Sequence, residues 1–223
     1  MAQALLASVP GEPADRPVSD PSVTSAGTVR VTYATPTAPD DGGSAILSYE
    51  LQMDGGDGGD FTSIHGSSSN SMATHFTVSQ GVLKGRTHRF RYRAKNAVGW
   101  GPFSAEASVL AADRPSRPDP PQFSSFALET LTVTVTASPD NGGTALLGTE
   151  LWRDAGDDFS SVFVLVAGYD GASPTYGLTA VDGMAPGKTY RLKSRSFNAI
   201  GASVDSIAAY VAFGDVPGAP GQP

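Results

Sequence analysis

The chain has 223 residues, with 26 glycines, 17 prolines, no cysteine and a formal net charge of -7. That length fits two domains of ordinary size, each able to bury a core without staples. The missing cysteines exclude disulfides, thiol catalysis and thiolate metal sites, and the acidic balance argues against nucleic acid or an anionic membrane as the main partner, since both reward a basic surface.

In chain order, Met1-Ala2-Gln3-Ala4-Leu5-Leu6-Ala7 has no positive n-region and too short an apolar run for a secretory signal. No apolar stretch approaches the ~18 residues of a membrane-spanning helix, so direct membrane insertion is not expected. Residues 1–9 read as the end of a preceding module or linker, with 4–7 as its last strand, and Val9-Pro10-Gly11-Glu12-Pro13 as a stiff joint.

A first domain is expected over residues 10–113. Val29, Val31 and Tyr33 alternate with Arg30 and Thr32, the period of a half-buried strand; Leu47, Tyr49, Leu51 and Met53 make the next. From His88 to Asn96, Phe90, Tyr92 and Ala94 share one face while Arg89, Arg91, Arg93 and Lys95 share the other. Residues 114–121, within Asp113-Arg114-Pro115-Ser116-Arg117-Pro118-Asp119-Pro120-Pro121, favour extended polyproline II and read as a second joint.

The second domain, 122–215, repeats the pattern. Leu131, Val133 and Val135 answer the first strand, Leu147, Thr149 and Leu151 the second, and Tyr190 to Asn198 the long one, with Leu192, Ser194 and Ser196 inward and Arg191, Lys193 and Arg195 outward. Residues 216–223 read as the next linker. Short alternating runs punctuated by turn residues, with no convincing helix, predict an all-β chain of two antiparallel sandwiches.

Turn signatures recur about one domain length apart. Asp40-Asp41-Gly42-Gly43 answers Asp140-Asn141-Gly142-Gly143, and Asn96-Ala97-Val98-Gly99 answers Asn198-Ala199-Ile200-Gly201. With Pro39 and Pro139 ahead of the first signature, Tyr49-Glu50-Leu51, and Met184-Ala185-Pro186-Gly187-Lys188-Thr189-Tyr190 leading to Asn198, the chain resembles tandem fibronectin type III modules over residues 10–212. The resemblance implies two seven-stranded Greek-key sandwiches of the immunoglobulin-like class. It places Tyr190 at a tyrosine corner, with His88 in that position of the first unit. A histidine there supplies one similar hydrogen bond while mostly neutral. The core tryptophan usual in the second strand is replaced by Tyr33 and Val135, and Ser194 and Ser196 imply a thinner core in the second unit.

Asp54-Gly55-Gly56-Asp57-Gly58-Gly59-Asp60 places three carboxylates at a spacing calcium uses, but no further carboxylate nearby completes six ligands, so turn chemistry is the commoner reading. The face of Arg89, Arg91, Arg93 and Lys95 offers charge to an acidic glycan or a partner's acidic strand; the plainer reading is a solvated sheet face offset by Glu50. Trp152 is expected to point outward beside Lys193 or Arg195, as a cation–π lid or an exposed anchor. Trp100, in the loop after the arginine face, either contacts residues 4–9 or binds a partner. His65, His75 and His88 share no metal-ligand spacing, and no nucleophile elbow, phosphate loop or Asn-x-Ser/Thr sequon occurs. No catalytic, cofactor-binding or metal residue is therefore assigned.

These readings point to a non-enzymatic pair of modules cut from a longer array: a structural spacer and protein-interaction module of a multidomain cell-surface or extracellular protein, adhesive or filament-forming. Its partners are proteins or neighbouring modules of the same array, with a glycan as the further candidate, and no nucleic acid. The alternative is a glycan- or protein-binding module, or an accessory domain of a secreted enzyme; an intracellular cytoskeletal array is also compatible with zero cysteine.

Overall fold

The computed structural model describes residues 6–35, 40–127, 129–157 and 162–214. Residues 1–5, Pro39 and the terminal segment 216–223 lie outside the described residues. The chain divides into unit 1 (Met1–Asp113) and unit 2 (Arg114–Pro223), and each is an antiparallel β-sandwich.

Unit 1 comprises β1 (Val18–Ser19), β2 (Val29–Thr32), β3 (Ser48–Met53), β4 (Thr62–His65), β5 (His75–Val78), β6 (Thr87–Lys95) and β7 (Ala107–Leu110). They form two sheets, β1-β2-β5 and β4-β3-β6-β7. The chain crosses between sheets after β2, after β4 and after β5, so the two sheets face each other across a shared core. The long β6 shows alternation most clearly: Phe90, Tyr92 and Ala94 are buried while Arg89, Arg91, Arg93 and Lys95 on either side of them are part-exposed. Opposite them lie Met53, Leu51 and Tyr49 of β3 in direct register. The Tyr33 ring packs 4.9 Å from Tyr92 and 5.9 Å from Tyr49, filling the place where the core tryptophan is usual.

Unit 2 comprises β8 (Gln122–Ala127), β9 (Thr130–Thr134), β10 (Leu146–Arg153), β11 (Val164–Leu165), β12 (Thr175–Leu178), a 3-10 turn (Ala180–Asp182), β13 (Lys188–Asn198), β14 (Gly201–Ala202) and β15 (Ala209–Phe213). One sheet is β12-β9-β8; in the other, β11-β10-β13, the far edge of β13 carries both β14 and β15. The tyrosine cluster of unit 1 is replaced position for position by Val135, Thr149 and Ser194. The thinner core takes a polar form: Ser196 Oγ accepts from the Ser138 N–H at 2.9 Å and lies 3.0 Å from Thr149 Oγ1. Buried hydroxyls are tolerated because they are paired.

Two leucines expected on inward runs are exposed. The β10–β13 register shifts between Leu146 and Gly148; this bulge turns Leu147 outward to 66% exposure. Leu47 precedes β3 and is 42% exposed, its N–H held by the Lys95 carbonyl.

The proline-rich segments are bonded to the units that follow them. In unit 1 the Ser8 N–H donates to the Gly42 carbonyl at 2.9 Å and the Gly11 N–H to the Asp40 carbonyl at 2.8 Å. Gly42 is at φ +71, and a Cβ there would collide with the Ser8 carbonyl, so the repeated Gly-Gly lets the incoming chain lie against the turn. In unit 2 the Ser116 N–H donates to the Asp140 carbonyl at 2.9 Å and Ser138 Oγ donates to the Ser116 carbonyl at 2.5 Å. Leu6 and Ala7, expected at the end of a preceding strand, belong to no strand.

Candidate functional site

The basic face of β6 is interleaved with aromatic rings that arrive from loops. The Arg91 guanidinium lies between Phe61, 4.1 Å from its centroid, and Phe103, at 4.2 Å; Arg93 lies between Phe103 at 4.3 Å and Trp100 at 5.0 Å. Lys95 Nζ is 5.4 Å from the Trp100 centroid and Arg89 caps Phe61 at 4.8 Å. Each arginine Nε also has an acceptor: Asp54 for Arg89 at 2.8 Å, Gln52 for Arg91 at 3.0 Å, Glu50 for Arg93 at 2.6 Å. Glu106 takes a further Arg89 nitrogen at 3.2 Å. Cations and rings thus stack alternately along the strand, each contact contributing about 0.5–1 kcal/mol where exposed.

Unit 2 repeats the stack with fewer members. Arg191 and Lys193 lie 5.0 and 4.3 Å from the Phe163 centroid; Lys193 and Arg195 lie 6.0 and 4.8 Å from Trp152. Asp154 accepts from Arg191 Nε at 2.7 Å, Asp205 from Lys193 at 2.6 Å and Glu150 from Arg195 Nε at 2.5 Å, while Trp152 Nε1 donates to Glu150 at 3.1 Å. Trp152 is half-buried and lies beside both of the cations expected next to it. Trp100 is likewise part of its stack, and its neighbours Gly99 and Gly101 lie against Val9 and Pro10; a Cβ on Gly101 would collide with the Pro10 carbonyl.

The glycine–aspartate loop begins at a buried hub. Asp54 is 1% exposed; its Oδ1 accepts from the Arg89 N–H at 2.8 Å and the Gly56 N–H at 3.0 Å, and its Oδ2 from Arg89 Nε. Burial pushes its pKa up, but the Arg89 side-chain bond and the two N–H donors outweigh this and hold the carboxyl below the ordinary value. Asp154 makes the matching set with the Arg191 and Gly156 N–H groups at 3.0 and 3.1 Å. Asp57 accepts from the Gly59 N–H at 2.9 Å, an Asx turn. The loop's first two carboxylates are therefore engaged by the protein, and no group of three metal-ligating side chains occurs among the described residues.

The two repeated signatures meet in space. Asn96 Nδ2 donates to the Ser8 and Asp41 carbonyls at 2.6 and 2.9 Å, and its Oδ1 accepts from the Val98 and Gly99 N–H groups at 2.9 and 3.2 Å. Asn198 repeats this with the Asn141 carbonyl at 2.8 Å and the Ile200 and Gly201 N–H groups at 2.8 and 3.1 Å. One side chain closes the turn after the long strand and clamps the Asp-x-Gly-Gly loop.

At the corner position, Tyr190 Oη accepts from the Ala185 N–H at 2.8 Å and donates to the Gly183 carbonyl at 3.4 Å. His88, fully buried, exceeds the single bond expected of it: Nε2 accepts from the Leu83 N–H at 3.2 Å, which leaves Nδ1 to carry the proton toward the Asp54 carbonyl at 3.3 Å. His65 lies elsewhere, stacked on Phe76 at 4.4 Å and bonded to Ser71 Oγ at 2.7 Å.

A groove of about 880 Å³ lies between β4 and β5 of unit 1, floored by Met53, Ile64, Phe76 and Val78 and bordered at one end by Asp57 and Asp60. Sequence reading missed it, together with Phe61, Phe103, Phe163 and the hub role of Asp54. A usable signal existed for the hubs: Asp54 and Asp154 recur with Arg89 and Arg191 at nearly constant offset. The rings gave none, because they enter from irregular segments.

No family model matches the chain. It is similar to endoglucanase B of Cellulomonas fimi, 29% identical over 192 residues that cover 81% of this chain and 16% of that protein. It is also similar to fibronectin type-III domain-containing protein 3A of Homo sapiens, 29% identical over 182 residues, 80% of this chain and 14% of that protein. The chain therefore spans less than a fifth of the length of these curated relatives. Among solved structures it is similar to the FN1–FN3 domains of chicken CNTN1, with a TM-score of 0.47 and 14% identity, covering 94% of this chain and 69% of that one. Among the described residues no helix is long and apolar enough to cross a membrane.

Proposed function

We propose that this tandem pair of fibronectin type III modules acts as a non-enzymatic spacer and protein-interaction module within a longer multidomain protein, at a cell surface or outside the cell. The observation that carries the reading is the internal use of the repeated polar residues. Asp54 and Asp154, Asn96 and Asn198, and the arginines of both long strands spend hydrogen bonds on their own unit, where they brace turns and sheet faces. Residues used in this way set length and stiffness. Partners are then neighbouring modules or proteins that meet the outer faces, with weak contacts multiplied along an array.

Small-angle scattering on the whole chain tests the spacer role. Two units held apart give a pair-distance distribution with a shoulder at the inter-unit spacing; a single compact peak overturns it.

A second reading is favoured by the similarity to endoglucanase B, of which the matched part is a minor share. Here the modules are an accessory region of a secreted polysaccharide-degrading enzyme. If they touch the glycan themselves, Trp100 and Trp152 are the platforms, with Arg89, Arg91, Arg93 and Lys95 around them. Sedimentation with microcrystalline cellulose should then retain the chain, and Trp100→Ala or Trp152→Ala should release it; no retention of the intact chain refutes direct glycan contact.

A further inference from the structure

We infer that the groove between β4 and β5 of unit 1 receives a guest β-strand: an extended peptide with lysine or arginine at its N-terminal end, followed by alternating apolar residues, paired antiparallel to β5. Both rims of the groove are sheet edges. The orders β1-β2-β5 and β4-β3-β6-β7 end on β5 and β4, and among the described residues no strand pairs with their outer sides. An open edge presents backbone N–H and C=O groups that an added strand can satisfy. Immunoglobulin sandwiches of the constant type carry a fourth strand in the corresponding sheet, next to the third. A strand beside β5 is therefore a placement this architecture accommodates.

The groove decides what the guest must look like. Its floor of Met53, Ile64, Phe76 and Val78 accepts the apolar side chains of one strand face, at the two-residue period that sends the others to solvent. No lysine, arginine or histidine lines it. Asp57 and Asp60 border it where β5 finishes, because Thr62, next to Asp60, pairs with Met53 at one end while His65 stacks on Phe76 at the other. A guest antiparallel to β5 begins at the acidic end, which puts its basic residue first. Asp54 is buried and spent on the Arg89 cation, whereas Asp57 and Asp60 are exposed and Asp57 takes a neutral backbone N–H from Gly59, so the charge offered to a guest is that of Asp57 and Asp60.

Unit 2 fills the same position from within. Tyr176, the counterpart of Phe76, packs 5.6 Å from Tyr169 and donates to Asp182 at 2.9 Å, and Val166 is buried beside them. The guest site is thus assigned to unit 1.

The inference rests on the interaction-module reading but fails separately from it, since the scattering result is indifferent to peptide binding. The test is a titration of the isotope-labelled whole chain with the peptide Lys-Arg-Val-Thr-Ile-Thr-Val, followed by amide chemical shifts. Saturable shifts are expected at residues 62–64 and 76–81. Replacing the two leading residues of the peptide by glutamates should abolish them, and prolines at its fourth and fifth positions should do the same by removing an N–H of either parity. The exposed double substitution Asp57→Asn with Asp60→Asn should leave the fold intact and weaken binding about three- to tenfold, less at high salt. Shifts centred on unit 2 or on β7, equal binding by the proline peptide, unweakened binding by the double variant, or no saturable shift would overturn the proposal.

Discussion

Asp54→Ala removes the acceptor of three hydrogen bonds at once. Two backbone N–H groups, of Arg89 and Gly56, lose their partner, at roughly 1–3 kcal/mol each where water cannot replace it, and the charge-assisted bond from Arg89 Nε is lost as well. The Arg89 side chain is 29% exposed and keeps Glu106 at 3.2 Å and the Gly59 carbonyl at 2.7 Å, so no buried cation is stranded. That places the total at the low end of the ~3–5 kcal/mol for breaking a buried pair, about 3 kcal/mol. The assay uses the distribution of tryptophans, one in each unit. In a Trp152→Phe background the fluorescence of Trp100 reports unit 1 alone through a urea titration. With m near ~1.5 kcal/mol per molar, the midpoint should fall by about 2 M at unchanged m. A fall under about 0.5 M would refute the assignment of Asp54 as the residue that ties the loop to β6. The pH dependence adds a check of sign. The folded carboxyl titrates below its unfolded value near 3.9, so its contribution is complete above that value and is lost as pH falls through the folded pKa. The gap between wild type and variant should therefore hold steady from neutrality to about pH 5 and close in stronger acid.

Asn96→Ala and Asn198→Ala should each destabilise their own unit by about 2 kcal/mol, with hydrogen exchange accelerating first at the Val98 and Gly99 or Ile200 and Gly201 amides; slow exchange there in the variants would contradict the clamp. His88→Phe, which pairs neither the Leu83 N–H nor the Asp54 carbonyl, should cost about 2–3 kcal/mol by urea unfolding, and long-range nitrogen correlation spectra of the wild type should show the Nδ1-protonated tautomer of His88. Tyr33 and Tyr92, whose pKa values burial pushes up to about 12, should ionise late in an ultraviolet titration. Their folded pKa lies above the unfolded value near 10, so the stability they contribute is whole below pH ~10 and lost as pH rises through 12. Ionisation of all seven tyrosines by pH 11 in folded protein would refute it.

The sandwich was legible because its determinants are periodic and local. Alternation along residues 88–96 places Phe90, Tyr92 and Ala94 in the core, and the resemblance to fibronectin type III modules places His88 and Tyr190 at the corner position. Alternation misplaces the two exposed leucines: carried across Leu147 it assumes an unbroken register, which the bulge between Leu146 and Gly148 breaks, and carried back to Leu47 it runs beyond the start of β3. The aromatic rungs had no period to reveal them. Phe61 and Phe103 enter the stack from loops on either side of β6, placed by where the chain returns.

The amino-acid sequence by itself determined that this protein is two copies of one β-module, where each long strand runs, which of its faces is buried and where the turns fall. These follow from side-chain alternation and backbone preference, both of which act between near neighbours. The tertiary structure alone decided how the repeated marks are used. Asn96 meets the Asp41 carbonyl and Arg89 meets Asp54 across 55 and 35 residues of chain, contacts that no local rule encodes. It also decided that unit 1 keeps an open groove where unit 2 seats Tyr176 against Asp182, because filling that space depends on a ring and a carboxylate converging from separate segments.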